Sequence, residues 1–100
     1  MTITAPLARA ARALVQWPRG HVARLAALDE AVLGAFETGT AQLVDADLDR
    51  LRQVLEEGGA VFLPEENGCG AGVRLQFAAR DVRAINRLEN EGGPVGTDDV

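Results

Sequence analysis

Through the first half of the chain apolar residues recur at helical spacing, and the pattern is cut at short intervals by Pro18, Asp29, Gly39 and Gly58-Gly59. Leu7, Ala11, Leu14 and Val15 stand at i, i+4, i+7 and i+8, with Arg9, Arg12 and Gln16 on the other side, which predicts an amphipathic helix over about residues 6–16. Pro18 ends that helix and suits the first position of a second, in which Val22, Leu25 and Ala26 form the apolar stripe. Gly20 weakens this second helix by about 1 kcal/mol relative to alanine. Only Ala27-Leu28-Asp29 intervenes before a third helix, capped by Asp29, turned inward on Val32, Leu33 and Phe36, and ended before Gly39. Asp45 or Asp47 caps a fourth, with Leu48, Leu51, Val54 and Leu55 on one side and Gly58-Gly59 at its end.

The period then changes from helical to alternating. Val61-Phe62-Leu63 and Val73-Arg74-Leu75-Gln76-Phe77 predict two short strands joined across a long Gly-rich loop from Pro64 to Gly72, with Val73, Leu75 and Phe77 on one face. A last helix, with Val82, Ile85 and Leu88 along one side, is expected before Gly92-Gly93-Pro94 and a disordered tail. The divisions are residues 1–59 helical, 60–77 hairpin, 78–91 C-terminal helix and 92–100 tail. The fold class is mainly α with a short β-hairpin.

Composition narrows the function. A chain of 100 residues with 47% hydrophobic and 4% aromatic residues fits one domain whose core is built from Leu, Val and Ala. So small a core makes dimerisation a reasonable way to bury more apolar surface. Net charge is -5, yet Arg9, Arg12, Arg19 and Arg24 all precede the first acid, Asp29. From there to Glu66 ten acids face only Arg50 and Arg52, so a basic end meets an acidic middle.

Several chemistries drop out. No apolar run of about 18 residues is available for a membrane span. The single cysteine, Cys69, excludes an intramolecular disulfide and suits a reducing, cytoplasmic setting. With one His and one Cys there is no zinc spacing, and Asp45, Asp47 and Asp49 lack the Gly and Glu of a calcium loop. Gly68, Gly70 and Gly72 are followed by no Gly-Lys-Ser/Thr, and Glu65 and Glu66 would repel a phosphate. No catalytic residue, cofactor, metal or small-molecule ligand is expected.

Two stretches carry a resemblance. Val22-Ala23, Ala27, Leu28, Asp29 and Leu33-Gly34-Ala35-Phe36-Glu37-Thr38-Gly39 resemble, without a gap, the helix-turn-helix of Cro and lambda-repressor-type proteins. Leu51-Arg52-Gln53-Val54-Leu55-Glu56-Glu57-Gly58-Gly59-Ala60-Val61-Phe62-Leu63-Pro64-Glu65-Glu66-Asn67-Gly68 followed by Gly72-Val73-Arg74-Leu75 looks like the tail of many short bacterial regulators of the xenobiotic-response-element family. Together they span roughly residues 7–77.

The resemblance implies a transcription regulator that binds double-stranded DNA as a homodimer, with the third helix in the major groove. Positions facing DNA in the family fall on Arg19, Asp29, Glu30, Ala31 and Ala35, with Thr38, Thr40 and Gln42 at and beyond the helix end. Glu30 could accept from cytosine N4, and Ala31 or Ala35 could touch a thymine methyl, but none makes the bidentate contacts that dominate base readout. Arg19 is the expected phosphate contact, while Arg9 and Arg12 are expected on a solvated face and Glu37 beside backbone or arginine neighbours. Ala27 is expected to be small so that two helices can approach. The alternative is a helix-turn-helix protein that has lost most DNA contact and acts through protein partners.

Overall fold

The structure, a computed structural model, describes residues 2–76. Four helices, α1 (Ala5–Val15), α2 (Arg19–Leu25), α3 (Glu30–Glu37) and α4 (Asp45–Glu57), precede a hairpin of β1 (Ala60–Leu63) and β2 (Gly72–Leu75). The expected helix over 78–91, the tail and Phe77 lie outside the described residues.

α1 starts at Thr4, whose hydroxyl accepts the Leu7 N–H at 3.4 Å, with Pro6 in the first turn where a missing N–H costs no helical bond. It ends at Gln16, left-handed at φ 62°. Ala8, Ala11 and Val15 are buried, and the helix lies against α3, α4 and both strands, which makes it the centre of the domain. α2 packs on α3 and α4, and α4 carries Leu51, Val54 and Leu55 into the same core. Leu33, Phe36, Val22, Ala23, Ala26 and Trp17 complete it.

The expected stripes of α2 and α3 are each rotated. Leu25 is 48% exposed and Val32 42% exposed. At 100° per residue both stand roughly 100° from the centre of the buried face. The inward positions belong instead to Ala23 on α2 and to Glu37 on α3.

Two caps also differ. Pro18 is the N-cap of α2 rather than its first helical residue, and Val44, not Asp45 or Asp47, is the N-cap of α4 with no side-chain bond. Asp45 and Asp47 lie within α4's first turn, where their charge complements the helix dipole. Asp47 also pairs with Arg50 one turn on.

The hairpin is antiparallel with Ala60 opposite Leu75 and Leu63 opposite Gly72. Its connection is tighter than a long loop. Glu66 and Cys69 exchange backbone bonds of 3.1 and 2.9 Å around Asn67 (φ 56°) and Gly68 (φ 78°), the type I′ turn that Asn-Gly favours because both central residues need positive φ. Val73 and Leu75 face α1 and the core while Arg74 is exposed.

Candidate nucleic-acid interface

α2 ends in a left-handed cap. The Ala27 N–H bonds the Arg24 carbonyl at 3.2 Å and the Leu28 N–H bonds the Ala23 carbonyl at 2.8 Å, the paired bonds of a Schellman motif with Ala27 at φ 58°. Ala27 is exposed, so its position demands positive φ rather than a small side chain for close approach. Arg50 Nε, from α4, donates to the Ala26 carbonyl at 3.1 Å and pins the turn from outside. Asp29 then caps α3 by accepting the Ala31 N–H at 2.8 Å. The same arrangement closes α3: Gly39, at φ 84°, bonds Phe36 O at 3.0 Å and Thr40 N–H bonds Ala35 O at 2.9 Å.

With Leu33, Phe36 and Glu37 inward, the opposite side of α3 presents Ala31, Ala35 and Thr38, flanked by Val32 and Gly34. Ala31, Val32 and Thr38 are exposed and Ala35 half-buried. This surface brings six of the sequence-predicted residues together on one helix and its ends. Their donors are mostly engaged. Thr38 Oγ1 donates to Gly34 O or Ala35 O at 3.1 and 3.2 Å, and Thr40 Oγ1 donates to Ala35 O at 3.1 Å. A phosphate needs a donated hydrogen, so these hydroxyls would have to leave α3's carbonyls to reach one. Gln42, exposed in the following loop, keeps a side-chain amide for that purpose. Asp29 is engaged as a cap, and the Glu30 carboxylate leans over α2, its Oε1 3.1 Å from where a Cβ on Gly20 would lie.

Arg19 is half-buried at the start of α2 and reaches back to α3, its Nε 3.4 Å from Glu37 Oε1. Glu37 is the anchor of a larger cluster. Only 2% exposed, it accepts Arg12 Nε at 2.8 Å and Arg12 Nη2 at 2.9 Å in a bidentate pair, while Arg9 donates to its backbone carbonyl. Arg12 Nη1 also reaches Trp17 O at 3.4 Å. The solvated face expected for Arg12 is therefore corrected, since its side chain turns onto the C-terminal turn of α3, whereas Arg9 stays exposed while bonding the same turn. Burial pushes the Glu37 carboxyl up, but the bonds and charge of Arg12, then Arg19, outweigh it and hold its pKa below the ordinary value. The bidentate bond to Glu37 raises Arg12 against its own desolvation, which keeps the pair ionised.

The buried carboxylate had a signal in the sequence. Glu37 follows Leu33 by four residues, so it shares the inward face, and a charge there needs partners from a neighbouring helix.

Elsewhere the chemistry is sparse. Among the described residues no group of three or more His, Cys, Asp or Glu side chains could hold a metal ion, and no helix is long and apolar enough to cross a membrane. Cys69 is exposed at the hairpin tip. No protein-family model and no curated protein sequence matches the chain.

Proposed function

We propose that the chain is a DNA-binding transcription regulator of the helix-turn-helix type, working as a cytoplasmic homodimer that lays α3 in the major groove. One observation carries this reading. α2 and α3 are locked by the Schellman turn at Ala27, and α3 is tied inward by Leu33, Phe36 and Glu37, so its opposite side is open along its length. Two copies would be needed to span half-sites a helical turn apart.

Grip would come from phosphate more than from bases. Ala31 and Ala35 offer only apolar contact to thymine methyls, and Arg19 is the cation nearest the surface. Binding is then expected to tolerate sequence and to weaken as salt rises, with a slope set by the few phosphates that are neutralised. Arg19→Ala should weaken binding to all duplexes alike and lower the slope of log K against log salt by about 1 for each protomer bound. An unchanged isotherm and slope would remove Arg19 from the interface.

A specific observation favours a second reading, a protein-binding module on the same scaffold. Ala31, Val32 and Ala35 make an uncharged, largely apolar outer face on α3, and the hydroxyls beside it are already bonded. Failure to bind duplex even at low salt would leave this second reading standing.

A further inference from the structure

Two constraints meet at Arg19. From inside, the buried Glu37 carboxylate holds Nε at 3.4 Å. From below, the side chain crosses α3 where Gly34 has none: a Cβ there would lie 3.4 Å from Nη1 and 3.5 Å from both Cδ and Cζ. A methyl would therefore just make contact, whereas any longer side chain would need the space that the guanidinium fills. Arg19 is nevertheless 41% exposed, and with Nε turned to Glu37 its Nη edge is the part left for a ligand.

We propose that Glu37 and Gly34 are positioning residues for Arg19, holding its guanidinium flat on α3 with the Nη edge toward a backbone phosphate of DNA. The proposal rests on the DNA-binding reading and says how its phosphate contact is delivered. An arginine tethered at Nε loses less freedom on binding, and its planar fork can bond a carboxylate through one edge and a phosphate through another. Glu37 Oε1 accepts both Arg12 Nη2 at 2.9 Å and Arg19 Nε at 3.4 Å, so Glu37 need not release Arg12 to hold Arg19.

The test is fluorescence-anisotropy titration of a mixed-sequence DNA duplex by the full chain across a salt series, with folding of each variant checked by urea melts. Arg19→Ala and Gly34→Leu are each expected to weaken binding roughly tenfold per protomer, the cost of one charge-assisted hydrogen bond, and to lower the salt slope by about 1 per protomer. The double variant should lose no more than either alone. Arg19→Lys keeps the charge, but its three donors radiate from one nitrogen, so it lacks the two separate edges by which the guanidinium reaches Glu37 and a phosphate on opposite sides. It should recover only a small part of the loss. Additive losses in the double variant, or wild-type binding by Arg19→Lys, would overturn the proposal while leaving the DNA-binding reading intact. Absence of wild-type binding at the lowest salt would overturn both.

Discussion

Glu37 is the residue on which three elements depend. It sits in the last turn of α3, takes the Nε–Nη2 edge of Arg12 from α1 with its two carboxylate oxygens, and holds Arg19 from α2. Removing one partner of such a buried pair leaves an uncompensated charge, so Glu37→Gln should lower unfolding free energy by about 3–5 kcal/mol. The sign of its pH dependence follows from the depressed folded-state pKa. The ionised carboxylate contributes its stability above the ordinary carboxylate range, and that contribution is lost as pH falls through the ordinary value toward the lower folded one. Urea midpoints measured from neutral pH downward should therefore fall steeply in the native protein and less steeply in Glu37→Gln. Parallel pH profiles would show that Glu37 is not ionised by its arginines.

At the scale of elements, the turns are more informative than the helices. Ala27 occupies a left-handed cap that costs a β-carbon about 1 kcal/mol, partly offset by the greater entropy glycine loses on folding. Ala27→Gly should thus raise stability by up to about 1 kcal/mol in a denaturant titration, and a loss would mean that the strain is absent. Gly58 is the opposite case. A Cβ there would stand 2.9 Å from the Trp17 ring, so Gly58→Ala should cost about 1–3 kcal/mol and shift the emission of this single tryptophan. Emission and stability both unchanged would contradict the tight packing of α4's end on Trp17.

Helix order, the Asp29 cap and the hairpin were legible because periodicity and capping are local signals. Leu25 and Val32 were misplaced because a helix of seven or eight residues fits more than one stripe, and only packing by α1 and α4 chooses between them. That Glu37 would meet an arginine was legible, but that the arginine is Arg12 was not, because the two lie 25 residues apart and nothing local joins them.

At the scale of the whole molecule, charge sets the terms of any encounter with DNA. A net charge of -5 opposes approach to phosphate, and three of the four arginines before Asp29 are turned toward Glu37. The Glu30 carboxylate, leaning over the start of α2, adds a local repulsion at the surface that includes Arg19. Glu30→Gln is accordingly expected to tighten duplex binding a few-fold at low salt, with the gain fading as salt rises. Weaker binding would instead indicate that Glu30 accepts a hydrogen bond from a base.

The central claim is that this scaffold binds DNA through α3 and Arg19. The most direct measurement is the salt dependence of wild-type and Arg19→Ala binding to a DNA duplex, by anisotropy in solution. Measurable wild-type binding at low salt, falling linearly in log-log form, with a slope about 1 unit shallower per bound protomer in the variant, is the predicted result. No binding by the wild type at the lowest salt, or identical slopes for the two proteins, would contradict it.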